Sequence, residues 1–231
     1  MTRTPCLIKA WLASPLAGEA PMLDAILERH AFIHNIDGCT ALSAGRQLNS
    51  HDPLTYDMLD CVPLAQQLFA CGEKCYCVSS PIVDGVCETT EHFVRRADYA
   101  TLKSRIKPTE IAKLRQNTGP YAPSFEPHRV RTVRAIAWYA RGDVQALKDW
   151  LSHIGHIGGK TAAGYGVVDR WGVEELGASM PDAWYLHAGV LMRPVPLDVF
   201  DEAPKGAKPY FGAIKPPYWH PMRQMEIWKP C

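Results

Sequence analysis

Three observations predict an α+β fold of the split βαβ kind, with an antiparallel sheet. They are two strand–helix–strand patterns, one in each half of the chain, and a basic, proline-rich stretch set apart from both. Residues 6–13 alternate as a first strand, and Ser14-Pro15-Leu16-Ala17-Gly18 ends it. Residues 21–34 read as a helix, with Pro21 suited to its first turn and Leu23, Ile26, Leu27 and His30 on one face. Residues 37–71 are hard to assign apart from a short helix near 64–69. Strands are expected at 75–82 and 91–96. A second unit follows: strand 130–140, a break at Gly142-Asp143, then helix 144–154. Asp143 is placed to cap that helix, and Leu147, Trp150, Leu151 and Ile154 form its buried stripe. Strands at 165–171 and 184–192 complete the pattern, and the aromatic, proline-rich tail is expected to lie over the core as an irregular cover. At 231 residues the chain can bury a real core, and it reads as a single domain over 1–231.

No apolar run approaches the ~20 residues of a membrane span. Lys9 comes too early for a signal-peptide core, so a cytoplasmic protein without membrane contacts is expected. Eight cysteines raise the question of disulfides or zinc. A reducing compartment disfavours the first. Cys61, Cys71, Cys75, Cys77 and Cys87 include no Cys-x-x-Cys pair, which disfavours the second, and Cys75 and Cys77 have the spacing of core residues on one strand face. Neither a metal nor another cofactor is expected.

The net charge of +1 conceals an asymmetry. Between Arg95 and Arg134 lie ten Lys/Arg and three acids, so the rest of the chain is mildly acidic. Such a concentrated block is a footprint for a polyanion. Within it, residues 98–129 hold four prolines and few apolar side chains, and are expected to leave the core as a loop, a thumb-like hairpin or an arm.

The segment from His153 to Val168, HIGHIGGKTAAGYGVV, tempts a comparison with a nucleotide phosphate loop. The spacing fails, because the position that must be glycine is Ile154. The order of elements fails as well: a phosphate loop leaves a strand and opens a helix, whereas here the helix comes first. Glycines can hold a phosphate chain in another way, through close backbone approach and converging N–H groups. Gly158, Gly159, Lys160, Thr161 and Gly164 supply that backbone, a charge and a hydroxyl. Tyr165 adds a ring on which a base could stack, with His153 and His156 beside it. The competing reading is a turn that merely lets two elements pack.

Helix, then Gly-Gly-Lys-Thr-Ala-Ala-Gly-Tyr-Gly-Val-Val, then strand resembles the glycine-rich loop of the RAMP superfamily of CRISPR-associated proteins. Leu12-Ala-Ser-Pro-Leu-Ala-Gly18, Val78-Ser-Ser-Pro81 and Arg193-Pro-Val-Pro196 resemble the small capping subunit of type IV CRISPR effector complexes. The resemblance implies a ferredoxin-like (RRM-type) domain. It also implies a structural role, with the subunit holding the 5′ repeat-derived handle of the crRNA beside the filament-forming backbone subunit. The complex's large and small subunits would be further partners, and target DNA an indirect one. The basic excursion would be a thumb, bringing Arg95, Arg96, Lys103, Arg105, Lys107, Lys113 and Arg115 to phosphates, with Arg129 and Arg131 at its return. Tyr121, Phe125 and Tyr165 are platforms for splayed bases.

Some RAMP proteins cut RNA with a histidine, so a metal-independent endoribonuclease is the alternative, with His153 and His156 its candidates. His30 and His34, one helical turn apart, suit a metal, but sequence offers no third ligand. The expectation is a subunit without catalytic residues.

Overall fold

A computed structural model describes residues 3–34, 58–95, 124–177, 180 and 182–231. The expectations for residues 37–57 and 96–123 fall outside these.

The chain is α+β, with antiparallel sheets and two α-helices among the described residues. Its principal sheet has four strands: β1 (Thr4–Leu12), β5 (Ile82–Asp84), β8 (Ala135–Gly142) and β9 (Val168–Glu175). They lie in the order β5-β8-β1-β9, each antiparallel to its neighbour. Helix α1 (Leu23–Ile33) follows β1, and α2 (Val144–Ser152) joins β8 to β9. Alternation decides which face is covered. Cys6, Ile8 and Ala10 of β1 stand beside Ala140, Trp138 and Ile136 of β8, and all are buried. Leu23, Ile26 and Leu27 of α1 and Leu147 and Leu151 of α2 pack on them in one cluster. The Asp143 carboxylate accepts the Ala146 N–H at 3.0 Å and caps α2. Trp171 of β9 donates its indole N–H to the Ile154 carbonyl at 2.8 Å, fixing the exit of α2 against the sheet.

Several elements differ from the sequence expectation. The helix near 64–69 is instead a strand, β3 (Gln66–Leu68), paired with β4 (Lys74–Tyr76). Gly72, at φ +84°, closes the hairpin between them. The strand at 75–82 is broken after Tyr76. There the Arg193 guanidinium takes the Tyr76 and Val78 carbonyls, and Ser80 donates to Met192. The strand at 130–140 is two strands. β7 (Ser124–Thr132) pairs with β6 (Cys87–Arg95), and β8 belongs to the principal sheet. Val133, Ala135, Ile136 and Trp138 are all buried, so two adjacent positions, Ala135 and Ile136, are both covered and the alternation changes phase where the chain changes sheets. The strand at 165–171 begins only at Val168, and 184–192 is a small hairpin of β10 (Leu186–His187) and β11 (Val190–Leu191). The tail is more regular than a cover. β12 (Val195–Pro196), β13 (Ala207–Gly212) and β14 (Met225–Pro230) form a sheet.

β4 serves two cores. Tyr76 enters the first, while Cys75 and Cys77 enter a second with Trp184, Ile214 and Ile227. Burial pushes the Cys75 thiol up to about 11 and Cys77 up to about 12, so both stay protonated. Cys71 and Cys87 are exposed instead, on a hairpin loop and at the start of β6.

Candidate nucleic-acid interface

The glycine segment is built from the two elements it joins. His153 terminates α2, and His156 bridges to Val167 in antiparallel fashion. Ile157 donates to the Gly166 carbonyl at 2.9 Å, and Val168 to Gly155 at 2.9 Å, so the segment closes on itself. Gly166 has φ +65°, and a Cβ there would lie 1.9 Å from the Ile157 carbonyl oxygen, so no other residue fits without displacing backbone. At the outer end, residues Thr161–Ala163 make one 3-10 turn flanked by left-handed Lys160 (φ 55°) and Gly164 (φ 87°). Lys160 is exposed. A non-glycine residue there costs about 1–2 kcal/mol, a strain that the surrounding loop imposes.

The segment is seated on the short stretch after β1. Gly166 donates to the Pro15 carbonyl, Val167 to the Ser14 hydroxyl at 2.9 Å, and Ala13 to the Val167 carbonyl. Beyond it, β2 (Leu16–Ala17) has two partners. Ala17 bridges to Gly159 on one side, and Leu16 and Ala17 pair with Arg131 and Val130 of β7 on the other. Gly159, β2, β7 and β6 are therefore neighbours in one surface. The Tyr165 hydroxyl donates to the Glu91 carboxylate of β6, a second tie across it. That hydrogen bond raises the pKa of Tyr165, with partial desolvation and the Glu91 charge adding to it.

Sequence reasoning placed the basic excursion at 98–129, yet its end belongs to β7, in a nine-residue pairing with β6. The excursion is thus carried on a hairpin. The described arms are close to charge-balanced, with Glu88, Glu91 and Glu126 against Arg95, Arg129 and Arg131. Arg129 is exposed on β7. Arg131 is held by two carboxylates, Glu19 and Glu88, the latter at 2.8 Å, so it clamps β2 and β6 to β7. Arg95 is the last residue of β6. Arg96, Lys103, Arg105, Lys107, Lys113, Arg115 and Tyr121 lie outside the described residues. Phe125 is exposed and stacks on His92 across the hairpin, with ring centroids 4.4 Å apart.

Between α1 and the glycine segment lies a cleft of about 400 Å3. It brings together residues that sequence reasoning kept apart. His30 and His34 face it from α1, and His153, His156, Gly158 and Thr161 from the other side. The rings of His30 and His34 are 4.3 Å apart between centroids, and those of His30 and His153 are 6.4 Å apart and nearly parallel. Burial, then the neighbouring His34 and His153, lower the pKa of His30. The i, i+4 spacing of His30 and His34 was the available signal. Nothing in sequence tied it to His153. Among the described residues, no group of three His, Cys, Asp or Glu side chains has the geometry to hold a metal ion.

No curated protein matches the chain significantly. The family described as CRISPR type IV associated protein Csf3 matches residues 88–230, from β6 through the glycine segment to the last strand. That is more than half of the sequence, and the chain belongs to the Csf3 family of type IV CRISPR-associated proteins.

Proposed function

We propose that the chain is the RNA-binding structural subunit that caps the 5′ repeat-derived handle of the crRNA in a type IV CRISPR complex. Membership of the family supports a place in such a complex. The observation that carries the RNA reading is continuity: the glycine segment, β2 and the hairpin bearing the basic excursion form one hydrogen-bonded surface. A single strand of RNA would follow it from Lys160 and Thr161 along β7 and β6, and residues 96–123, which join those strands in sequence, hold six Lys/Arg and two acids. Phe125 and Tyr165 offer rings along that route.

The strand–helix–strand, strand–helix–strand order over β5-β8-β1-β9 supports reading the principal sheet as one ferredoxin-like, RAMP-type domain. The partners in this reading are the crRNA handle, the filament-forming subunit and the large and small subunits, with target DNA engaged through the complex. A cytoplasmic place goes with it. No helix among the described residues is long and apolar enough to cross a membrane.

A second reading, a metal-independent endoribonuclease, draws on the grouped imidazoles of His30, His34 and His153. Incubation of the purified chain with repeat RNA, with and without EDTA, decides between the two. The proposed role predicts bound, intact RNA under both conditions. Site-specific cleavage insensitive to EDTA would replace it with the second reading. Co-purification from cells followed by sequencing of the bound RNA should recover one repeat-derived 5′ end.

A further inference from the structure

We infer that the cleft between α1 and the glycine segment receives one unstacked base of the bound RNA; the inference rests on the proposed RNA-binding role. Volume is the first observation. About 400 Å3 is within the ~300–1,000 Å3 usual for small-ligand sites and suits a single nucleotide. The second is the wall. Ile26, Ile154 and Ile157 back it from the core, and Ile33, 62% exposed, is the large apolar side chain left open at its edge. Unsatisfied apolar surface beside a polar rim is what a base's flat faces can cover.

The rings are the third observation. The His30 ring packs against His34 at 4.3 Å and is nearly parallel to that of His153 at 6.4 Å. Flat imidazoles at a cleft edge are stacking surfaces, and their nitrogens can meet the hydrogen-bonding edge of a base. The fourth is direction. Gly155, Gly158 and Thr161 line the same cleft, so the loop assigned to the RNA backbone forms its floor. A strand crossing Lys160 has a base within reach of the cleft. The cleft does not look like a phosphate seat: α1 and α2 both present their C-terminal ends here, at His34 and His153, and helix C-termini repel anions.

The test is a thermodynamic cycle on the full chain. The probes are the repeat RNA of its own locus and a set of the same RNA with one abasic site at each handle position. The variants are His30→Ala with His34→Ala, and separately Ala25→Phe, which narrows the cleft from α1. Circular dichroism checks folding, and the Phe variant carries the test if the double variant is unfolded. Removal of one particular base should weaken wild-type binding about tenfold. In the variants, intact RNA should bind that much more weakly, and the same abasic site should cost almost nothing further. Additive losses at every position would overturn the base-seat inference while leaving RNA binding intact. If the wild-type chain binds no repeat RNA, the proposed function fails and this inference with it.

Discussion

Helix α1 carries ionisable groups towards two different surroundings. On its inner side, Asp24 and Glu28 are completely or almost completely buried. Asp24 accepts the Tyr218 hydroxyl at 2.6 Å and lies 3.9 Å from the Arg193 guanidinium, and Glu28 accepts the Tyr76 hydroxyl at 2.8 Å. Towards the glycine segment, His30 and His34 stand half-buried and exposed at an open cleft. The first group is closed and hydrogen-bonded, and it holds distant parts of the chain together. The second is grouped but open. Polar side chains that satisfy one another make architecture, whereas those that share a cavity leave room for a ligand.

The largest effect should come from breaking the closed side. Arg193 donates to the carbonyls of Tyr76, Val78 and Ile214 and accompanies Asp24. Arg193→Leu takes the guanidinium from beside buried Asp24 and a donor from three buried carbonyls, and should cost about 3–5 kcal/mol in chemical denaturation. His30→Ala and His34→Ala should each cost about 1 kcal/mol or less. Similar losses on the two sides would dissolve the contrast.

The two sides should also differ in pH response. Burial above all raises the pKa of Glu28 to about 8, against an ordinary 4.5, while the Tyr76 hydroxyl, Asp24, the Leu59 backbone and Arg223 modify it. The folded state therefore holds a proton that the unfolded state has released. Its contribution to stability is complete below about pH 4.5 and is lost as pH rises to about 8. Glu28→Gln should flatten that decline between pH 5 and 8, seen as a smaller shift in the denaturation midpoint. An unaltered profile would show that Glu28 ionises normally.

How much of this was legible in sequence follows the same division. Helix α1, helix α2 with its Asp143 cap, and the alternation of β1 could be read because the chemistry that forms them is local. β3 was not. Its pairing depends on a turn at Gly72 and on β4 across it. The split of 130–140 escaped because each half is a good strand, and only the partners differ. The place of the glycine segment, after one helix and before a strand, could be read from its residues. Its union with the hairpin could not, because it runs through β2, two residues without a pattern of their own. Arg131 looked like a free cation, and only the fold brings Glu19 and Glu88 to it.

A smaller change separates strain in a hairpin turn from strain in the glycine segment. Ala188 is left-handed, at φ 50°, in the turn between β10 and β11. Both central residues of that turn have positive φ, the conformation that Asn-Gly favours. Ala188→Gly should raise stability by about 0.5–1 kcal/mol and leave RNA affinity unchanged. No gain would mean that the turn carries no strain.

Lys160, the other left-handed non-glycine residue among the described residues, tests the central claim. Lys160→Gly relieves the same backbone conformation and removes the charge. Binding of repeat RNA should be measured across a salt series for the wild type and this variant, with stability measured in parallel. The account predicts a protein at least as stable whose affinity falls several-fold, with the slope of log affinity against log salt reduced by about 0.7–1. Equal affinity and an equal slope would contradict it, and would leave the glycine segment as a turn that only joins α2 to β9.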